Sequence, residues 1–512
     1  MEQGYFIGVD IGTYSSKGVL VTENGKVICS HTIPHEMNMP KPGHFEQDAD
    51  LVWWNDFVEI TKSLLKTSGI NNNQVLGVGT SAIGSCVLPI DEKGIPQRPG
   101  ILYGIDTRSM DEITFLEEKL GKDFIFEHCG QHLSSQASGT KVLWIKNHEP
   151  DVFNKARWFL TSEAYLVYKL TGKATIDIYT AGGYAPLFDV HTKKWIEGQV
   201  NQLIVGPSKL PQTYWSHEVV GTVSAEAARI TGLLEGTPVV AGTTDAAAEA
   251  LSAGISEFGD MMLMFGSSVF FIMKTEKLVK TERFWSYNFL DEGAYAFLGG
   301  MSTSGSLTTW FRDHLAQNEL KLEKQGQENA FVSLARQAAS SPPGSNGLIA
   351  LPYFEGERTP LHDPKAMGMW FGLNLRTTKS DLYRSLLEGV AFGIRNNFEV
   401  MQSEGIQPKR ILAVGGGTKN KLWLQIVADI CGIKLNVPEQ QIGACYGDAF
   451  LAAVGVGRYS KLQDVKHWVS LKEEFTPDHQ TKKTYDAYYD IFLELYKANS
   501  QLMHRFSDYK QS

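Results

Sequence analysis

Near the start of the chain an apolar run, Phe6 to Ile11, breaks at the small and polar residues GTYSSK and resumes as GVLV. Two short apolar runs flanking a small-residue loop predict two strands, and Asn24-Gly25 in TENGKVI is a two-residue hairpin signal that turns the second strand back again. The loop at Gly12-Thr13 therefore joins strand to strand. That excludes a Walker-type loop, in which GxxxxGK[ST] opens a helix. Further apolar runs enter Gly/Ser/Thr loops at VLGVGTSA (75–82), TPVVAGTTDAAAEAL (237–251), MMLMFGSSVFFIM (261–273) and RILAVGGGTKNKLWLQIVADI (410–430). Several continue into helical spacing, and DLVWWNDFVEITKSLL (50–65) and SDLYRSLLEGVAFGIRNNFEVM (380–401) carry apolar residues three or four apart. Strands alternating with amphipathic helices predict an α/β chain. The pattern of strand, small-residue loop and strand at FIGVDIGTYSSKGVLV returns at MMLMFGSSVFFIMK, so each half opens with the same device. A boundary near residue 255, at SAGISEFGD, gives domains 1–254 and 255–512. The closing YDAYYDIFLELYKANSQLMHRF reads as a helix that packs through one apolar face.

Length supports the division, because 512 residues exceed what one hydrophobic core usually serves. Lys and Arg number 48 against 57 Asp and Glu, a net charge of −9, and no dense basic run marks a nucleic-acid footprint. The five cysteines, Cys29, Cys86, Cys129, Cys431 and Cys445, are odd in number and lack CxxC spacing, which argues against a disulfide framework and a zinc site. No apolar run approaches the ~20 residues of a membrane span, and a cytoplasmic location is expected.

The loops carry the candidate chemistry. Asp10, Gly12, Thr13, Ser15 and Ser16 put backbone donors and hydroxyls close enough to wrap a phosphate, with Asp10 able to hold a metal-bound water; an ordinary hairpin turn explains the same residues. Gly266-Ser267-Ser268 stands in the matching position of the second half, and two such hairpins could hold the phosphates of one nucleotide. Gly415-Gly416-Gly417 follows a strand and precedes a helix, so backbone can pass close to a ligand there, but it is not GxGxxG, and a dinucleotide oxidoreductase lacks its fingerprint. Asp245, before AAAEAL, is either the N-cap of a helix or a general base at a strand's carboxyl end.

Taken together, GVDIGTYSSKGVL, MFGSSVF and GGGTKNKLWLQIVADICGIKLNV resemble the FGGY family of carbohydrate kinases, and FEQDADLVWW, GERTPLHDPKAMGMWFGL and GACYGDAFLAAVGVG look most like its xylulokinase branch. The resemblance runs from about Gly4 to about Tyr496. It implies α/β architecture with duplicated actin-like ATPase (ribonuclease H-like) domains and a cleft between them, sugar bound by the first and nucleotide by the second. It implies ATP and Mg2+, with Asp245 as catalytic base in contact with the sugar and Asp10 organising the metal through water. Gly12, Thr13, Ser15, Ser16, Lys17, Gly266 and Ser267 then fall among the phosphate contacts, and Gly416, Gly417 and Asn420 beside adenine and ribose. Lys17 reads alternatively as a solvated lysine at a strand edge. Asp106 and Arg108 in LYGIDTRS stand where the family has WxDxR and become sugar contacts, with an exposed Asp–Arg loop pair as the alternative. Asp48 reads as the N-cap of the helix bearing Trp53 and Trp54.

Two stretches depart from the branch. Ile83-Gly84-Ser85 replaces a Gln-Met-His-like segment that touches the sugar, which leaves Gly84 and Ser85 to line an enlarged or re-polarised wall, and Glu163-Ala164 stands where many relatives have an acid directly before the tyrosine. The expected function is ATP-dependent phosphorylation of a small sugar, first a ketopentose such as D-xylulose. Gluconate or a polyol is the alternative substrate, and a catalytically silent sugar- and nucleotide-binding regulator the alternative class. The expected partners are the small sugar and ATP, with no nucleic acid, no membrane, and room for a homodimer.

Overall fold

The computed structural model describes residues 3–511. Strand β1 (Tyr5–Ile11) runs antiparallel to β2 (Ser15–Thr22), with Asp10 opposite Lys17 and Ile11 opposite Ser16. The expected hairpin at Gly12-Thr13 is therefore present, and β2 turns through Gly25, at φ 78°, into β3 (Val27–Pro34). On its other edge β1 pairs in parallel with the strand Val75–Ala82, which sets Asp10 beside Ser81. Ser81 and Ala82 pair in turn with Thr243 and Thr244, whose chain enters the helix Asp245–Ser252. Three strands thus deliver Asp10, Ser81 and Asp245 to one carboxyl end of the sheet.

Both faces of that sheet are covered, as the near-continuous apolar runs require. Phe6, Ile7, Val9 and Ile11 are all buried. Helix α1 (Asn55–Ser68) covers one side through Phe57, Ile60 and Leu64, and the helix Ala444–Gly455 covers the other. Two strand glycines permit the second contact. A Cβ on Gly8 would lie 1.9 Å from the Cys445 carbonyl oxygen, and one on Gly79 would lie 2.0 Å from that of Asp448. A second core in the same unit gathers Phe159, Tyr184, Leu187 and Phe188 beneath the helices that follow residue 110.

The chain forms two compact units that do not follow a single cut. The first holds the chain up to Glu257, Lys274–Phe297 and Ile442–Ser470; the second holds Phe258–Met273, Leu298–Gln441 and the chain from Leu471 onward. This spatial grouping differs from a contiguous division at 254/255 because the return of Ala444–Gly455 onto β1 is a long-range contact with no local signature. In the second unit the strand Asp260–Phe265 pairs antiparallel with Val269–Thr275, confirming the hairpin at Gly266–Ser268, and parallel with Arg410–Val414. Leu435–Pro438 extends the sheet in parallel and Leu471–Phe475 closes its edge. The long helix Lys482–Gln511 buries Tyr485, Tyr489 and Phe492, all in ring contact with Phe392. All five cysteines are free, and among the described residues no helix is long and apolar enough to cross a membrane.

Candidate active site

Asp245 opens a helix without capping it. Thr244, extended at φ −79° and ψ 157°, is the N-cap and Asp245 the first helical residue. Its carboxylate accepts the Ala246 N–H at 2.7 Å and also the Gly84 N–H. The side chain stays partly accessible, yet burial pushes its pKa up to about 6 against those two hydrogen bonds. Asp10 is raised well above the ordinary carboxyl range, by burial first and then by the charge of Asp245, so the two acids the strands bring together feel one another.

Three residues not singled out in the sequence complete the cluster. Ser81 Oγ lies 3.0 Å from Asp10 Oδ1 and 2.7 Å from Asp448 Oδ2. Asp448 is fully buried, and its Oδ1 has no hydrogen-bond partner. Glu249, one turn after Asp245, is pushed up to about 7 by burial, with Lys17 opposing and Asp245 adding to the rise. Lys17 is no solvated edge residue, because its Nζ donates to the Ile442 carbonyl at 2.9 Å. A lone acid inside the apolar helix ACYGDAFLAAVG was the available signal for Asp448, since an unpaired buried carboxyl is costly and needs a reason. Among the described residues no three His, Cys, Asp or Glu side chains are grouped to hold a metal directly. Oxygen-only donors at Asp10 and the orphaned Asp448 oxygen nonetheless fit a hydrated hard cation such as Mg2+, which keeps most of its waters.

The Gly12–Ser15 loop is held from behind. The Gly12 carbonyl lies 2.9 Å from His35 Nε2, the Thr13 carbonyl accepts from Gln47 Nε2 at 3.1 Å, and the Tyr14 carbonyl accepts the His35 N–H at 3.0 Å. Across a trans peptide the next N–H points opposite to each carbonyl, so the amides of Thr13, Tyr14 and Ser15 face the other way. Gly12 itself contributes no amide, since its N–H closes the turn on Ser15 O at 3.0 Å. Ser16 is a correction: it is fully buried, and its hydroxyl donates to Asp56 at 2.7 Å. Side chains alternate along a strand, so Ser15 and Lys17 share one face of β2 and Ser16 takes the other.

In the second unit the Gly266 carbonyl accepts the Gly305 N–H at 2.9 Å, and the Ser267 carbonyl accepts those of Ser304 and Ser306 at 2.9 and 3.0 Å. The Gly266 N–H closes its own turn on Ser268 O at 3.0 Å, as in the first loop. Gly417 lies against this hairpin, where a Cβ would meet that of Phe265 at 2.7 Å, while a Cβ on Gly416 would meet nothing within 4 Å. Asn420 is the N-cap of the helix Lys421–Cys431, accepting the Trp423 N–H at 3.2 Å.

Asp106 and Arg108 are not an exposed pair. Both are buried, the Asp106 carboxylate accepting from Phe45 N–H at 2.6 Å and from the Arg108 guanidinium at 2.7 Å. Arg108 also pairs with Glu46 at 2.9 Å and lies over the Trp144 ring at 4.9 Å. Their assigned side-chain bonds go to each other and to Phe45 and Glu46, which makes them a buried structural pair just after the Tyr103–Gly104 turn. In that turn the Gly104 N–H donates to Gln136 Oε1 at 3.2 Å, and a Cβ on Gly104 would lie 2.2 Å from the Gln136 amide, so Gln136 fills the space a larger residue would need. Buried Lys141, lowered to about 8 by burial, donates to the Tyr103 and Ser135 carbonyls. Tyr103 bonds Thr13 and senses the charge of Asp245, and Ser138 donates to the Ser85 carbonyl at 2.7 Å. Tyr103 and Gly84 therefore lie near Asp245, with Gln136 packed on the Gly104 turn and Ser85 tied to Ser138. Glu163 sits apart, buried and pushed up to about 8, bonded by Thr161. Asp48 caps the turn before α1, as expected, through the N–H groups of Asp50 and Leu51.

The N-terminal-domain pattern of the FGGY family of carbohydrate kinases matches residues 5–252, and its C-terminal-domain pattern matches residues 261–456. The chain belongs to that family. A xylulose kinase of Staphylococcus xylosus is 27% identical over 495 residues, 96% of this chain and 99% of that protein. A gluconokinase of Bacillus subtilis is 25% identical, covering 99% of this chain and 98% of its own length. Among solved structures, the xylulose kinase of Rhodospirillum rubrum superposes with a TM-score of 0.89 at 31% identity, over 98% of this chain and all of that one. As a member of the FGGY family the chain is a two-domain α/β carbohydrate kinase.

Proposed function

We propose that the chain transfers the γ-phosphoryl group of ATP to a hydroxyl of a small sugar, a ketopentose such as D-xylulose before others, with Mg2+ as cofactor. Asp245 takes the proton of the sugar hydroxyl as that oxygen attacks phosphorus in line. The observation that carries the reading is the condition of Asp245: a partly accessible carboxyl, fixed by two backbone N–H groups and brought to about 6, near enough to neutrality to be ionised and still basic. The amides of Thr13, Tyr14 and Ser15 and the hydroxyls of Thr13, Ser15 and Ser267 are the assigned phosphate donors, and Lys17 adds positive charge. Gly416 and Gly417 let main chain approach adenosine, and Asn420 orients the helix that follows. Asp10 would hold Mg2+ through water, where the ion would offset phosphate charge.

Gluconate or a polyol is the second reading. It is favoured by Gly84, where a Cβ would find its nearest neighbours 3.9 Å away, at Asp245 Oδ1 and Thr244, so the wall beside the base is open. A coupled ADP-release assay over pentuloses, hexuloses, polyols and aldonates separates these readings. Turnover on one class, highest for a ketopentose, is expected. ADP release no greater than with ATP alone, for every compound, would refute kinase activity on small sugars.

A further inference from the structure

The imidazole of His35 is held at both nitrogens. Nδ1 lies 2.9 Å from Asp56 Oδ2 and Nε2 lies 2.9 Å from the Gly12 carbonyl oxygen, with both the His35 and Asp56 side chains nearly sealed from solvent. A carbonyl oxygen only accepts, and so does an ionised carboxylate, so with Asp56 ionised both ring nitrogens donate and the ring is an imidazolium. The main chain of His35 adds a third tie through its N–H to the Tyr14 carbonyl. We infer that His35, charged and anchored by Asp56, is the positioning residue that holds the Gly12–Ser15 loop with its amides turned toward phosphate. The inference rests on the proposed reading of that loop as a phosphate site.

Gln47 completes the clamp. Its Oε1 accepts the Trp53 indole N–H at 2.8 Å, which fixes the amide so that Nε2 faces the Thr13 carbonyl. Of the two side-chain ties only that of His35 depends on protonation. Burial opposes the charge on the ring, but the hydrogen bonds to Asp56 and to the Gly12 carbonyl prevail, and its pKa lies above the ordinary histidine value. Asp56, from α1, is the titratable side chain bonded to the ring; β2 presents uncharged Ser16, 3.4 Å from Nδ1, and the loop presents main chain. When the ring loses a proton it keeps the bond to the carboxylate and gives up the one to Gly12. The loop carbonyl is then free to rotate, and the Thr13 amide with it.

The test is binding of a fluorescent ATP analogue, with sugar binding measured in parallel, to the wild-type chain, His35→Gln and Asp56→Asn across pH 6 to 9. At pH 6.5 His35→Gln is expected to weaken nucleotide binding by about tenfold, the loss typical of a charge-assisted hydrogen bond, and to leave sugar binding unchanged. By pH 9 the wild-type chain should approach the variant. Asp56→Asn should move the wild-type transition to lower pH, and since titration of the nucleotide is common to both proteins, the displacement belongs to the ring. If His35→Gln does not fold, that displacement alone decides. Equal nucleotide affinity for wild type and His35→Gln at pH 6.5, or coincident pH profiles for wild type and Asp56→Asn, would overturn the inference while nucleotide binding by the wild type stands. A wild-type chain that binds no nucleotide would instead remove the phosphate-loop reading itself.

Discussion

Replacing Asp245 by Asn should make the protein more stable and catalytically dead. Burial lifts the Asp245 carboxyl to about 6, roughly two pH units above an unperturbed aspartate, and each unit is about 1.4 kcal/mol in favour of the neutral form. At pH 8 the ionised group therefore costs the fold up to about 3 kcal/mol. The sign follows from linkage: the unfolded chain ionises near the ordinary value and the folded chain near 6, so the penalty is absent below about pH 4, grows between, and is full above 6. An amide carries no such penalty. It keeps one acceptor oxygen for the Ala246 N–H but cannot serve both backbone donors as two carboxylate oxygens do, which returns about 1 kcal/mol.

The net gain of about 1–2 kcal/mol corresponds to a rise in Tm of roughly 1–3 °C at pH 8, and falls to about 0.5 kcal/mol, under about 1 °C, at pH 5. Turnover should fall by ~10²–10⁴-fold, because the amide cannot take the proton, and the sugar Kd should change little. Scanning calorimetry at the two pH values, with kcat on the substrate identified by ADP release, reads all three quantities. A variant with wild-type kcat would remove Asp245 from the chemistry. A lower Tm at pH 8 would show that the carboxylate stabilises the fold and that the burial argument is wrong.

Gly79→Ala should cost about 3 kcal/mol or more in urea unfolding, because its Cβ would lie 2.0 Å from the Asp448 carbonyl oxygen and the helix Ala444–Gly455 would have to lift. Gly84→Ala should leave Tm within about 1 °C, since contacts at 3.9 Å are ordinary, yet raise the sugar KM more than it lowers kcat by narrowing the wall beside Asp245. Asp106→Asn should destabilise by about 1.5–3 kcal/mol, because buried Arg108 would keep Glu46 but lose its closest carboxylate, and denaturant midpoints will show it.

What could be read from the sequence was local. The strand, loop and strand at Gly12 and again at Gly266 followed from apolar runs and small residues, and Asp48 as a cap followed from the helical pattern after it. Ser16 was also legible, because alternation along β2 places it opposite Ser15, but a row of hydroxyl residues obscured the period. Asp448 left only a hint, a lone acid inside an apolar helix, because its partners depend on the helix Ala444–Gly455 returning across more than 350 residues to lie on β1; Glu249 gains its place from Lys17, which no local spacing joins to it. Burial of Asp106 and Arg108 was equally out of reach, since it needs Glu46 and Trp144, which local spacing does not connect to them.

The two small-residue loops reach one result by different chemistry. Each is a hairpin whose first glycine N–H closes the turn, and each has its carbonyls satisfied from behind, which leaves N–H groups facing outward. In the second unit the satisfying donors are the main-chain amides of Ser304, Gly305 and Ser306 at the start of a helix, groups that do not titrate and that need partners there in any case. In the first unit the Gly12 and Thr13 carbonyls are satisfied by the side chains of His35 and Gln47, brought in from β3's end and from the strand before α1, and only the Tyr14 carbonyl by main chain, the His35 N–H. Backbone donors come with the fold and tolerate most substitutions, whereas side-chain donors can be deleted singly. Sensitivity to pH and to point mutation should therefore concentrate in the Gly12–Ser15 loop, and Ser304→Ala, which keeps its N–H, should leave nucleotide binding as it is where His35→Gln does not.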